Sequence, residues 1–232
     1  MGSRKKLLIL IIAAAWILLA FRSADLTVPI TAYHNGQYVS FSDTLISEPD
    51  GFESSRENSD STEKSRKTDR IQEFAEKLQN GESEKIRGIY AEDQFELYVV
   101  GQPSNKPGFV SSIEDVVTDF QMTKKYGVIG MIAHNYLAGQ NFFFLEEGDI
   151  LQIVYGDGSI SRYEIKEVHK YQALSPKSPY SDFKDLNTDE VLSSTELFKR
   201  VYMGTHHLTL QTCIQVGKMD SWGRLFLIAE PI

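Results

Sequence analysis

The sequence predicts a mostly β domain that follows an apolar N-terminal segment. Short stretches rich in β-branched and aromatic residues recur from residue 86 onward, and Gly156-Asp157-Gly158 is a strong hairpin signal. Strands do not alternate regularly with long helices, as a doubly wound parallel sheet would require. We therefore expect a small, mostly antiparallel sheet or barrel of about seven short strands with one or two helices.

Length and charge narrow the class of protein. The 232 residues provide one sizeable domain plus a tail. The net charge is -8, and Lys and Arg cluster only at the extreme N-terminus. A nucleic-acid-binding protein would present a basic patch, so no nucleic-acid partner is expected.

Residues 1–24 are predicted to be a signal anchor or a signal peptide. Arg4-Lys5-Lys6 precedes an uncharged run from Leu7 to Phe21. The run is shorter than the roughly 20 residues that span a bilayer, which favours a cleaved peptide. The missing small-x-small cleavage site favours an uncleaved, single-pass anchor in the cell membrane, with the remaining chain on the extracytoplasmic side.

Residues 25–70 are predicted to be an extracytoplasmic extension that ends in a flexible polar spacer. Strand-like pieces are scattered over 25–46, whereas 47–70 is dominated by Ser, Glu, Asp, Lys and Arg. Such a composition cannot bury enough apolar surface to offset its ordering entropy. An amphipathic helix is predicted over 69–79, and the globular domain over 71–232.

The domain contains a series of predicted strands. They cover residues 86–90, 95–100, 127–133, 150–155, 159–168, 208–213 and 224–228. The stretch 127–133 is almost wholly apolar and is therefore expected at the centre of the sheet. Residues 189–202 are predicted to be helical, with an apolar side formed by Leu197, Phe198, Val201 and Tyr202.

The chain has a single cysteine, Cys213, at the end of a predicted strand. A lone thiol in an exported protein is a buried bystander, an intermolecular link or a nucleophile. Side chains alternate across a strand, so Leu208, Leu210 and Thr212 share the core face. Cys213 is then expected to point outward from the polar face, where it is a candidate nucleophile once ionised.

A nucleophilic thiol needs an acid/base partner, and His134 is the best candidate among the five histidines. His134 follows the central apolar strand and opens a polar loop. His206 and His207 share the strand of the cysteine at roughly 20 Å if the strand is extended. His34 precedes the spacer, and His169 lies late in a long strand. The alternative for His134 is a capping histidine that hydrogen-bonds the loop.

Arg224 is at the head of the last apolar strand and is a candidate oxyanion donor. A preorganised guanidinium stabilises the negative charge that develops when a thiolate adds to a carbonyl. Arginine stays protonated, so it does not serve as the general base. The alternative is a salt bridge at the strand end, for example with Glu230.

Motifs around these residues resemble those of the sortases, the cysteine transpeptidases of bacterial surfaces. Thr209-Leu210-Gln211-Thr212-Cys213 matches their cysteine motif. Gly130-Met131-Ile132-Ala133-His134-Asn135 is similar to the strand that ends in their histidine, and 224–229 to the strand that bears their arginine. Between them, 142–150 resembles the segment where a short helical turn leads into a Gly-Asp turn. The motifs occur in family order, and the resemblance covers roughly residue 86 to the C-terminus.

The resemblance implies an eight-stranded sortase-like β-barrel and a two-step transpeptidation. Cys213 would attack a carbonyl in a sorting signal of the Leu-Pro-x-Thr-Gly type and form a thioacyl enzyme. His134 would act as acid and base, Arg224 would hold the oxyanion, and Thr212 would help to bind substrate. The implied partners are secreted proteins that carry a sorting signal and an amine acceptor from the cell wall or another surface protein.

Two alternatives to a transpeptidase stay open. A cysteine hydrolase would use the same three residues and pass the acyl group to water, and a non-catalytic surface module would only bind peptide. No cofactor is expected, and no metal, because Glu146, Glu147 and Asp149 lack the alternating spacing of a calcium loop. The stretch 171–202 matches no defined sortase subclass, so the substrate motif and the accepting amine stay open.

Overall fold

The computed structural model describes residues 69–178 and 180–232, together with the backbone of two short strands. These are β1 (Ala32–His34) and β2 (Gln37–Val39), which pair antiparallel within the predicted extension. The predicted anchor (1–24) and most of the spacer, residues 47–68, lie outside the described residues. Among the helices that are described, none is long and apolar enough to cross a membrane.

Two α-helices and ten strands make up the described chain from residue 69 to the C-terminus. Helix α1 covers 69–78, close to its predicted range. The elements after it are β3 (Glu82–Ala91), β4 (Phe95–Gly101), β5 (Val116–Asp119), β6 (Ile129–Ile132), β7 (Ile150–Gly156), β8 (Ile160–Ala173), β9 (Phe183–Asp185), β10 (Val191–Leu192), α2 (Ser194–Tyr202), β11 (Leu208–Val216) and β12 (Met219–Pro231). Short 3₁₀ helices occupy Gln121–Tyr126 and Ala138–Phe144.

Eight of these strands close into a barrel. The sheet runs β10-β9-β8-β12-β11-β6-β5-β4-β3-β7, and β7 also pairs with β8, which closes the ring and leaves β9 and β10 as a side extension. The pairs β6–β11 and β4–β5 are parallel, and the other pairs are antiparallel. The predicted mostly β, eight-stranded barrel is confirmed.

Apolar residues pack on both sides of the barrel wall. Side chains such as Leu208, Leu210, Leu225 and Leu227 fill the interior. A second cluster lies outside the wall, where Phe226 and Ile228 pack beneath the apolar side of α2, formed by Leu197, Phe198, Val201 and Tyr202. Burial on both faces explains why β12 reads as a continuous apolar run rather than as an alternating strand.

Several predicted boundaries differ from the structure. Helix α2 begins at Ser194 rather than at 189, because Val191–Leu192 pairs with β9 and Ser193 forms a capping box with Glu196. Strand β8 extends to Ala173, and β12 begins at Met219. Strand β5 was not predicted, since its four residues lie between segments without a clear hairpin signal.

Candidate active site

Strand register brings the three candidate catalytic residues together. Strands β6 and β11 run parallel, with Leu208 opposite Ile129 and Gln211 opposite Ile132. The same register, continued for two residues, places His134 level with Cys213. On the other side, β12 pairs Arg224 directly with Cys213. Neighbouring strands are about 4.8 Å apart, so the three residues form one row across the barrel wall.

Thr212 connects β11 to the residue before His134 through a side-chain hydrogen bond. Its Oγ1 donates a hydrogen bond of 3.0 Å to the carbonyl of Ala133, and the Ala133 amide donates to the Gln211 carbonyl at 3.1 Å. These bonds carry the parallel pairing up to the residue before His134. The Thr212 side chain is fully buried, and in this structure its hydrogen bond positions the histidine turn. Its part in substrate binding stays a prediction.

A tight turn holds the backbone of His134. The amides of Leu137 and Gly139 both donate to the His134 carbonyl at 3.0 Å. A Cβ atom on Gly139 would lie 2.4 Å from Thr212 Oγ1 and 2.7 Å from the His134 carbonyl oxygen. Only glycine allows this close approach, so Gly139 is a residue of the site that the motifs did not indicate.

Replacing Gly139 with alanine is expected to lower the free energy of unfolding by about 1–3 kcal/mol, the usual cost of forcing extra atoms into a packed site. The His134 turn would also have to move away from β11. Gly101→Ala is the matched control, since the nearest atom to its added Cβ lies 3.6 Å away. Denaturant unfolding of both variants checks the prediction; equal stabilities would show that the turn relaxes freely.

Arg224 lies inside β12 rather than at its start. It is fully buried, its Nη1 donates to the carbonyls of Ser221 (3.0 Å) and Gly223 (2.7 Å), and its Cζ lies 5.9 Å from the centre of the Phe183 ring. Glu230 is six positions further along the same strand, roughly 20 Å away. The alternative of a salt bridge with Glu230 is therefore wrong.

Cys213 is buried, and the expected outward orientation is wrong. The alternation along β11 is as predicted, but the face that carries Cys213 is buried, and α2 packs on its Thr209 and Gln211. On that face, Thr209 Oγ1 donates to the Val201 carbonyl (2.6 Å), and the Tyr202 hydroxyl donates to Gln211 Oε1 (2.5 Å). The helix thus provides partners for polar side chains that the sequence suggested were facing water.

Burial keeps both the thiol and the imidazole neutral at rest. Desolvation raises the pKa of Cys213 to about 11, although Arg224 opposes the rise through its charge and a hydrogen bond. Desolvation also lowers the pKa of His134, which the Val110 carbonyl and the charge of Asp220 partly offset. At neutral pH the proton therefore rests on the thiol, and the imidazole is free to accept it.

Asp220 is a charged neighbour of the site that the motifs did not indicate. Its charge raises the pKa of Cys213 as well as that of His134. Its backbone carbonyl accepts a hydrogen bond from Asn135 Nδ2 at 3.3 Å, which links the histidine loop to the start of β12. One signal was available: Asp220 is the single acidic residue between Cys213 and Arg224.

Alkylation of Cys213 is expected to accelerate up to and beyond pH 9, because the thiolate forms only as pH rises toward the raised pKa. A shift from 9.0 to about 11 lowers the thiolate fraction at neutral pH about 100-fold. Asp220→Asn should accelerate alkylation at a fixed pH, since Asp220 raises this pKa. Iodoacetamide labelling of the single cysteine measures both effects; a plateau below pH 8 would contradict the prediction.

The other described histidines have partners elsewhere. His206 Nε2 lies 3.0 Å from the Tyr163 hydroxyl, and His207 contacts the backbone carbonyls of Thr205 and Val201. His169 pairs with Glu167. Because these three histidines are engaged elsewhere, the contacts agree with the prediction that His134 is the acid/base.

The acidic turn at Glu146, Glu147 and Asp149 is held by hydrogen bonds to Asp149. Asp149 Oδ2 accepts from the Glu146 amide at 2.9 Å and from Gln94 Nε2 at 3.2 Å. Within the part of the chain that the structure describes, no group of three or more His, Cys, Asp or Glu side chains is arranged to hold a metal ion.

Comparisons with known proteins add the following. No protein-family model and no curated protein matches the chain significantly. Among solved structures, sortase A from Listeria monocytogenes matches with a TM-score of 0.42 at 12% identity, over 66% of this chain and 88% of that one. The sortase D5 transpeptidase from Clostridium perfringens matches with a TM-score of 0.42 at 16% identity, over 72% and 99%.

A third solved structure is sortase C from Clostridium perfringens with the C-terminal cell wall sorting motif. It matches with a TM-score of 0.41 at 16% identity, over 75% of this chain and 96% of that one. All three are sortases. The motifs around Cys213, His134 and Arg224 resemble the same family. Identities of 12–16% leave the chemistry of the site to be derived from the residues of this chain.

Proposed function

We propose that the chain is a sortase-type cysteine transpeptidase. The observation that carries the proposal is the row of His134, Cys213 and Arg224 on neighbouring strands. An acid/base group on one side of the thiol and a cation on the other is the arrangement that acyl transfer to a cysteine needs. The other histidines whose side chains the structure describes have partners elsewhere, so His134 is the candidate acid/base.

In the first step, the neutral imidazole of His134 accepts the thiol proton and the thiolate of Cys213 adds to a peptide carbonyl. The imidazolium then protonates the leaving amine as the peptide C–N bond breaks. The products are a thioester on Cys213 and a free amine. The lowered pKa of His134 and the raised pKa of Cys213 make this proton transfer unfavourable before substrate binds.

In the second step, an incoming amine attacks the thioester and neutral His134 accepts its proton. A new amide bond forms and the thiolate leaves, to be reprotonated by the imidazolium. In both steps a tetrahedral oxyanion forms next to Cys213. Arg224 pairs with Cys213 across β11 and β12, and its charge acts on the thiol, so its guanidinium would donate to that oxygen.

The substrates we propose are secreted proteins with a sorting signal of the Leu-Pro-x-Thr-Gly type, together with an amine from the cell wall or another surface protein. An enzyme with these substrates acts on the extracytoplasmic side of the membrane. The basic and apolar segment at 1–24 supports this placement through its resemblance to an export signal or anchor.

One observation favours a second candidate. Cys213 and Arg224 are both fully buried, whereas a peptide carbonyl must reach them. A non-catalytic surface module that keeps the barrel and binds peptide elsewhere would tolerate this burial. In the transpeptidase, the side chains that bury Cys213 and Arg224, Phe183 of β9 among them, must move when substrate binds.

Intact-mass spectrometry of the full-length chain with a library of sorting-signal peptides separates the candidates. A transpeptidase gives an acyl adduct on Cys213 that an added amine discharges and that Cys213→Ala lacks. Discharge by water alone, unchanged by amines, identifies a hydrolase. No adduct across the library, with Cys213 still alkylated by iodoacetamide, overturns the enzymatic proposal and supports the binding module.

A further inference from the structure

An exposed aromatic ring stacks on the imidazole of His134. The Tyr136 and His134 rings have their centres 5.1 Å apart and an angle of 26° between their planes. Tyr136 is 58% exposed, while His134 is only 5% exposed. The ring therefore covers the histidine from the solvent side and contributes little to the barrel core.

The turn around His134 fixes its backbone, and the Val110 carbonyl holds the imidazole through one hydrogen bond. The backbone bonds to the His134 carbonyl, from Leu137 and Gly139, restrain the main chain alone. A single hydrogen bond still lets the imidazole turn about its second side-chain torsion, which is a broad one. A ring stacked at van der Waals distance restricts that rotation.

Tyr136 also lies near the other groups of the site. The charges of Asp220 and Cys213 raise the pKa of its phenol, after the larger contribution of burial. The titratable groups that face His134 on the described elements are thus Asp220 from the β12 side, Cys213 from β11 and Tyr136 from its own loop. Asn135, between the two rings in sequence, anchors the loop to the Asp220 carbonyl.

We propose that Tyr136 is a positioning residue that holds the imidazole of His134 in the orientation needed for proton transfer with Cys213. The inference rests on the proposed acid/base role of His134. The aromatic ring carries the effect, and the phenol hydroxyl does not. Because the side chain is mostly exposed, its removal leaves no cavity in the core and should leave the fold intact.

Three variants of the full-length chain test this proposal. Tyr136→Ala removes the stack, and Tyr136→Phe keeps the ring without the hydroxyl. Tyr98→Ala is the matched control, because Tyr98 is also a half-exposed tyrosine with one ring contact, to Phe74 at 6.0 Å. An NMR titration of His134, assigned by comparison with His134→Gln, is recorded without substrate. The rate of thioacyl formation is measured separately.

Tyr136→Ala is expected to slow thioacyl formation about 10-fold, as small misplacements of a catalytic group do. It should also raise the pKa of His134 toward its ordinary value, because burial is the main cause that lowers it. Tyr136→Phe and Tyr98→Ala should match the wild type in both measurements. Equal slowing by Tyr136→Phe, or a Tyr136→Ala variant with unchanged His134 pKa and rate, would overturn the proposal.

The titration also separates this proposal from the proposed function. If the wild-type chain forms no adduct with any peptide, the transpeptidase proposal fails. The His134 pKa still reports whether Tyr136 holds the ring: a rise in Tyr136→Ala supports the stack, and an unchanged value overturns it.

Discussion

Replacing His134 with glutamine is expected to slow thioacyl formation about 10²–10⁴-fold, the range that a positioned general acid or base contributes. Glutamine fills much of the same space and keeps a polar end. It neither accepts the thiol proton nor protonates the leaving amine. Rapid-quench mass spectrometry of the Cys213 adduct measures the rate.

His169→Gln is the matched control for this variant. His169 lies on β8 and pairs with Glu167, so its loss removes an imidazole without touching the row of catalytic residues. The control should retain the wild-type rate. A His134→Gln variant within threefold of the wild type would exclude His134 as the acid/base and would leave the site without a described histidine that can replace it.

The sequence indicated the three candidate residues, whereas the strand order and register that bring them together are seen only in the structure. Cys213 and Arg224 lie on consecutive strands, and strand β6 before His134 is apolar enough to be recognised as central. Periodicity identifies such strands, and a parallel register between β6 and β11 brings the third residue level with the first. The eight-stranded barrel itself followed from the resemblance of the motifs.

The burial of the site was not predictable from the same pattern. Thr209 and Gln211 indicated a polar, solvent-facing side of β11, as alternation suggests. In the structure, Val201 and Tyr202 of α2 bond to these two side chains and cover the face. The segment between β8 and β11 places this helix, and neither its composition nor its length says which face of the barrel it covers.

The sequence patterns did not indicate two residues of the site, Gly139 and Asp220, because their roles depend on local backbone conformation. Gly139 matters because three atoms occupy the space that a Cβ would need, a packing property that one glycine among sixteen does not reveal. Asp220 matters because a β-turn returns it to the His134 loop, where Asn135 contacts its carbonyl. Such contacts depend on loop conformations, which sequence patterns determine far less well than strands.

Replacing Arg224 with glutamine is expected to slow thioacyl formation about 10²–10³-fold, the cost of removing one oxyanion donor. Alkylation of Cys213 should slow as well, because Arg224 lowers the pKa of the thiol and its loss reduces the thiolate fraction at a fixed pH. Adduct formation and iodoacetamide labelling measure the two effects. Rates within threefold of the wild type would contradict both roles.

In Arg224→Gln, a loss of folding stability has to be distinguished from a loss of catalytic rate. Arg224 is fully buried and donates to the Ser221 and Gly223 carbonyls, so its removal is expected to cost about 1–3 kcal/mol of unfolding free energy. Thr123→Val is the matched control. It removes a buried hydroxyl that bonds Phe120 and Gly130 at the opposite end of β6. The control should lose comparable stability and keep the wild-type rate of adduct formation.

Arg224→Lys separates the two roles of the guanidinium. An ammonium keeps the positive charge near the thiol, so alkylation should stay close to the wild-type rate. It lacks the planar fork that can bond a backbone carbonyl and an oxyanion together, so thioacyl formation should still be slowed. If Arg224→Lys keeps both rates at the wild-type level, the positive charge at this position is sufficient. If it keeps only the alkylation rate, the geometry of the guanidinium is needed at the oxyanion. The pairing of Arg224 with Cys213 across the two strands implies this second result.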